Sequence, residues 1–432
     1  MSANHAHNAG MWVFPRAEEV TNDIAAKTQA MPRPLAAALA VSAVLVVLGI
    51  IGFVVRAGGD GFDELGPWGY YAAIFSFLLM VTGAAPLVAL AFRFTKSHWR
   101  RPLSRVSELF ALVGILNILM FIPLMFVLPA ISNPGAGEHA MELRRTIWFE
   151  VPIGAPHWWD ALGVIFLGIL GVVILWLSAV PDLAEARLVS SGLRQKLYGL
   201  LAGHWYGTKR QWTMQKAGLA VLGAFYFMFL IYVHFIISTD YAQSLVPGWK
   251  DSIFPVLYSL TGLQAALGLI LIVLFIMRRW GGYHEYIGIS TFWSASKILL
   301  ALSLLWAYHV FAFMITYWYG RMEVEQNILM YLFTKSYAGI FAANFFFSFA
   351  MPFLLLLWNP VRRSDWGPAL AGMAVLIGAL MFNLRVFVGA FNAGDVYQHF
   401  LEVVPPAAWP DVWDIFMVLG EAGAATAALG YH

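Results

Sequence analysis

The sequence predicts an all-α integral membrane protein of ten transmembrane helices, with the N-terminus and the C-terminus both in the cytoplasm. Three observations predict it. Hydrophobic residues fill 60% of 432 positions and charged residues only 12%, a balance unlike that of a soluble domain. The apolar residues fall into ten runs near 34–55, 70–92, 106–130, 159–180, 215–238, 252–277, 292–318, 336–358, 368–391 and 411–430, each close to the ~20 residues that cross a bilayer as a helix. The basic residues gather in alternate loops.

Segment 1–33 is polar and mixed in charge, without the basic start and short apolar core of a cleavable signal peptide. Most of the 26 lysines and arginines lie there or in loops on the same side. They include Arg93, Arg100, Arg101 and Arg105, then Arg187, Arg194, Lys196, Lys209 and Arg210, then Arg278 and Arg279, and finally Arg362 and Arg363. The positive-inside bias assigns that side to the cytoplasm. Asp60, Asp63, Glu64, Asp240 and Asp251 then fall at the outer face.

The expected divisions are a cytoplasmic segment 1–33, a first span and outer loop 34–67, a four-helix bundle 68–250 (spans two to five), a second 251–392 (spans six to nine), and a last span within 393–432. The two bundles read as parallel repeats. Each set starts outside, carries an Arg-Arg pair after its first helix (Arg100-Arg101; Arg278-Arg279), and closes with Trp and then Pro (Trp176 and Pro181; Trp358 and Pro360). The longest outer connection, 131–158, has clustered Trp and Pro and reads as an interfacial belt. The cytoplasmic stretch 187–214 sets Leu193, Leu197, Leu200 and Leu201 among basic residues, the pattern of a short amphipathic surface helix.

There is no cysteine, so the chain has no thiolate for an iron–sulfur cluster and no covalent c-type haem site. Electron chemistry therefore needs a diffusible carrier, a non-covalent haem or cofactors on partners. No metal site is predicted, and a net charge of +2 gives no reason to expect a nucleic-acid partner.

Ionisable groups at membrane depth are costly and mark ion, proton or substrate paths. Five make a candidate proton path: Glu108 in span three, His234 near the outer end of span five with Asp240 just beyond it, and Lys297 and His309 in span seven. They are expected to line one bundle interior. Histidine titrates near neutral pH, and a carboxylate can take its proton onward through water. Gln264 in span six is a further candidate. Asp160 and Asp182 read as helix caps, and Arg385 reads as a side chain snorkelling to the outer boundary.

The stretch from Asp240-Tyr241-Ala242 through Pro247-Gly248-Trp249-Lys250-Asp251-Ser252-Ile253-Phe254-Pro255 resembles the NrfD/PsrC family of quinone-interacting membrane subunits. So do His204-Trp205-Tyr206-Gly207-Thr208, Pro181-Asp182-Leu183-Ala184, Phe292-Trp293-Ser294, Tyr317-Trp318-Tyr319-Gly320-Arg321-Met322 and Trp358-Asn359-Pro360-Val361-Arg362-Arg363. Within that family the chain is similar to the smaller NrfD-like subunit of bacterial alternative complex III, a quinol:cytochrome c or copper-protein oxidoreductase.

The resemblance implies ten spans with two four-helix bundles, in a bacterial cytoplasmic membrane. It implies a larger NrfD-like paralogue, an iron–sulfur/molybdopterin-like subunit and multihaem and monohaem cytochromes c as partners, with haems and clusters on those partners. Menaquinone or another quinone is the implied carrier. His234, Asp240, Trp249 and Asp251 are the quinone-proximal candidates, and the paralogue holds the main quinol site. Tyr241 and Lys250-Asp251 depart from the paralogue's version of the motif, so an auxiliary, proton-conducting role is expected. Two other classes remain. A secondary transporter would favour helix breaks that correspond between the halves, and Pro86 and Pro123 do not correspond. A purely structural anchor needs no site at all.

Overall fold

The computed structural model describes residues 33–95, 98–127, 155–394 and 400–430. Segment 1–32 and most of the expected interfacial belt, 131–154, lie outside the described residues. The described elements are helical, with no strand among them: α1 (Arg33–Gly59), α2 (Gly69–Phe94), α3 (Arg101–Val127), α4 (Ala155–Val189), α5 (Gly192–Ala202), α6 (Lys209–Asp240), α7 (Phe254–Arg279), α8 (Ile289–Gly320), α9 (Glu323–Leu329), α10 (Ala338–Leu357), α11 (Asn359–Arg362), α12 (Trp366–Phe391) and α13 (Val412–Gly430). Nine described helices are long and apolar enough to cross a membrane, and they coincide with the first nine expected runs. The tenth run is α13, which is shorter and carries Asp414 and Glu421.

Helix is the form that satisfies every backbone group without water. Pro86, Pro123 and Pro181 sit inside α2, α3 and α4 without ending them. Because α4 runs on to Val189, Asp182 is no cap; it pairs with Arg105 of α3. The Thr208 region builds a capping box for α6. Thr208 Oγ1 accepts from the Gln211 amide at 3.3 Å, and Gln211 Oε1 accepts from the Thr208 amide at 3.2 Å. Helix α5 exposes Leu193, Leu197 and Leu200, as an interfacial amphipathic helix would.

Helix α2 is buried along almost its whole length. It packs on α3 and α6 to one side and on α7 and α12 to the other. Helices α3, α4 and α6 complete one group with α2, while α7, α8, α10 and α12 pack together as a second. The basic end of the molecule holds Arg93, Arg105, Arg279 and Arg363; the opposite end is the far end below.

Arg385 departs from expectation. It lies in a π-turn, Leu384–Val388, and the extra residue such a turn accommodates shifts the side chains that follow around the axis. The guanidinium is buried, 4.4 Å above the Phe333 ring and 5.2 Å from that of Phe341, and Nη1 donates to the Leu332 carbonyl at 3.3 Å. It does not snorkel.

Helices α1 and α13 run side by side and attach to the rest through α2 and α3. Their backbones touch where Gly49 faces Gly420: a Cβ on Gly420 would lie 2.3 Å from the Gly49 Cα. At the far end Arg56 clasps the pair. Its Nη1 donates to Asp60 Oδ2 at 2.9 Å, and its Nη2 to Asp411 Oδ1 at 3.0 Å and Asp414 Oδ1 at 2.7 Å. Gly420→Ala is expected to destabilise the detergent-solubilised protein by about 1–3 kcal/mol, the range for overpacking. The check is the thermal unfolding midpoint, with Gly58→Ala, a helical position with open space around it, as a control whose midpoint is not lowered.

Candidate functional site

Four helices from both groups meet around the Tyr258 hydroxyl. It shares a 2.7 Å hydrogen bond with Ser76 Oγ of α2, and Ser76 Oγ donates to Asn383 Oδ1 of α12 at 2.9 Å. Asn383 Nδ2 is held by the Ala379 carbonyl at 2.8 Å. His234 of α6 stands edge-on to the Tyr258 ring, centroids 5.3 Å apart. It is fully buried, and neither ring nitrogen has a hydrogen-bond partner. The imidazole fits only because residue 262 is glycine: a Cβ there would come within 3.1 Å of His234 Cε1 and 2.8 Å of the Met80 carbonyl.

Toward the basic end, α2 presents Thr82, whose Oγ1 accepts from Asn117 Nδ2 of α3 at 3.1 Å. Asn117 Oδ1 is buried without a partner. Both residues border a cavity of about 10 Å³ between α2, α3, α4 and α6, which Tyr226 also lines; that is room for one water. Nearer the basic end, Ser107 Oγ accepts from the Ala89 amide at 3.1 Å. Beside it, Glu108 is buried in an ion-pair knot. It accepts from Arg93, from Ser178 Oγ and from Arg105 Nη1 at 3.1 Å. Such pairing holds Glu108 as an anchored carboxylate.

Three of the five proton-path candidates, Glu108, His234 and Asp240, are thus interior. Lys297 and His309 are not. The buried stripe of α8 runs through Phe292, Ala295, Leu299, Ser303, Trp306, Val310, Phe313 and Tyr317, and both candidates fall beside it. Lys297 is exposed, its ammonium 4.4 Å over the Trp293 ring, which Arg363 also approaches at 4.7 Å. His309 is half-buried and its Nδ1 donates to the Leu305 carbonyl at 2.9 Å. The expectation of one shared interior fails for these two. In its place the second group has an uncharged seam: Gln264 Nε2 donates to Ser303 Oγ at 2.9 Å and to the Ser348 carbonyl at 2.7 Å.

The four quinone-proximal candidates are dispersed. Asp240 ends α6 and is buried. With Asp160 it borders a groove of about 800 Å³ between α4 and α6, walled by Trp159, Phe166, Phe229 and Phe235. Trp249 is buried against Phe254, centroids 4.5 Å apart. Asp251 precedes α7, where its Oδ1 accepts from the Ile253 amide at 2.8 Å. Burial pushes its carboxyl up to about 6, against the opposing pull of its backbone hydrogen bonds. His234, sealed inside, cannot touch a head group that reaches the others. These residues do not fit a single quinone head-group site, and no step through a quinone is derived from them.

Sequence reading missed Ser76, Asn117, Tyr258 and Asn383, which look like ordinary minor polar residues inside apolar runs. It also missed Glu421, buried in α13 with neither carboxyl oxygen hydrogen-bonded.

Residues 61–392 match the family model described as polysulphide reductase, NrfD. The match spans both helix groups and leaves α1 and α13 outside. No curated protein matches the chain.

Two outcomes are expected. Glu108→Gln leaves Arg93 without its carboxylate and Arg105 with Asp182 alone, and costs about 3 kcal/mol, the low end for breaking a buried pair because both arginines keep some access to water; denaturant unfolding measures it. Asp251 binds its proton more tightly folded than unfolded, so stability is full below its ordinary value of 3.8 and falls as pH rises through about 6. Asp251→Asn keeps the accepting oxygen and should therefore gain on the wild type between pH 4 and pH 7, read as diverging unfolding midpoints.

Proposed function

The chain belongs to the NrfD family, and we propose that it serves a bacterial quinol:electron-acceptor oxidoreductase, of the alternative complex III kind, as its proton-conducting membrane subunit. In this reading the basic end faces the cytoplasm and both termini lie there, α13 is the tenth span, and the two helix groups are parallel repeats. Haems and iron–sulfur clusters reside on partner subunits, among them a larger NrfD-like paralogue that oxidises the quinol.

One observation carries the proposal. Polar groups follow α2 through the interior, from the anchored Glu108 and Ser107, past Thr82, Asn117 and the one-water cavity, to Ser76, Tyr258 and His234. Ser76 and Thr82 are six residues apart, about 9 Å along the axis, a gap that one or two waters can bridge. Glu108 supplies fixed charge at the entrance, Asn117 and Thr82 orient water, and His234 takes and releases the proton at its ring nitrogens. Asp240, just beyond on α6, passes it to the far side. An anchor would have no need of an unpartnered histidine at that depth, where an unsatisfied polar group is costly.

The test is steady-state turnover of the reconstituted complex. His234→Leu and Asn117→Leu should each lower proton-coupled turnover about tenfold, at or below what a positioned proton-transfer group supplies, with KM for quinol little changed. A large rise in KM at unchanged turnover would show that these residues bind quinol instead.

A further inference from the structure

Glu421 stands apart from everything the proposed function uses. It lies in α13, outside the two helix groups, and 7% of its surface is exposed. Both carboxyl oxygens are buried without a hydrogen-bond donor. The cation of the α1–α13 pair and the hydroxyl facing Glu421 from α2 are already committed. Arg56 of α1 is held by Asp60, Asp411 and Asp414. Tyr71 of α2, close enough to interact electrostatically with Glu421, donates its hydroxyl proton to the Met120 carbonyl of α3 at 2.7 Å.

An ionised carboxylate in this position would give up its hydration and receive nothing for it, which costs far more than burying the neutral acid. Glu421 also shares a face with Asp414: seven residues separate them, two turns and about 10 Å along the axis. Asp414 belongs to the Arg56 cluster, which reaches water at the far end through the partly exposed Asp60 and Asp411. Gly420 and Gly423, the residues that flank it in sequence, bring α13 against α1.

We infer that Glu421 is a proton-exchange site: a carboxylic acid inside the membrane that loads and releases its proton toward the far end by way of the Arg56–Asp414 cluster. It is independent of the path along α2, and its test does not depend on turnover.

Infrared difference spectra of the purified full-length protein in its native complex, wild type against Glu421→Gln, read the site directly. The expected result is a carbonyl band of an un-ionised carboxylic acid that the variant lacks and that shifts when water is replaced by deuterium oxide. Identical bands in the two proteins would mean that Glu421 is ionised and would overturn the inference. A band that is lost in the variant but does not move in deuterium oxide would mean an inert buried acid, and would overturn it too. Should Glu421→Gln fail to assemble, a hydrophobic carbodiimide applied to the wild-type complex reads the same carboxyl. The acid's proton passes to one carbodiimide nitrogen as its oxygen bonds to the central carbon. The acyl group then migrates to nitrogen, leaving an N-acylurea with nothing released. Peptide mass spectrometry should find the adduct on Glu421, and an unmodified Glu421 peptide counts against the site.

Discussion

Polar side chains in hydrocarbon must find one another or be left unsolvated, and in this chain that constraint converges on α2. Its Ser76 and Thr82 bind partners on α3, α7 and α12, and its backbone receives hydroxyls from α3 and α6. Apolar contact alone would not choose among neighbours, because lipid tails are as apolar as leucine. The few hydrogen bonds along α2 therefore set which helices surround it. Both groups are organised by what they share with this one helix.

The two groups use that constraint differently. The first contains an anchored carboxylate, an amide with a free oxygen and a histidine with free nitrogens, groups that can bind or relay protons. The second is linked by neutral bonds among Gln264, Ser303, Asn344 and Ser348, with Trp306 donating to Thr261, although Asn344 Oδ1 is left without a partner. Of its two buried arginines among the described residues, Arg278 pairs with Asp365, and Arg385 is surrounded by phenylalanine rings.

The spans were legible because composition sets them: a run of twenty apolar residues has few other uses. His234 and Glu108 were legible because a titratable residue deep in such a run is conspicuous. Which way a residue faces was not. In a helix that is apolar all round there is no polar face to fix the phase, so Lys297 and His309 looked as interior as His234. Arg385 was misjudged because a π-turn leaves no mark in composition. Glu421 was overlooked because α13 is rich in alanine and glycine, where one carboxylate resembles the polar edge of a weak span. Asn117, Ser76 and Asn383 gain their meaning only from each other.

The clasp between α1 and α13 has a consequence for biosynthesis. Arg56 and its partner Asp411 are 355 positions apart, so at about 5–20 residues per second α1 waits roughly half a minute for the helix that covers its glycines. During that interval both helix groups can form, while α1 meets α2 through Phe53, against Trp68 and Tyr71. Among the described helices the last to leave the ribosome thus fixes the first, and Arg56 meets Asp60, four residues on, long before Asp411 and Asp414.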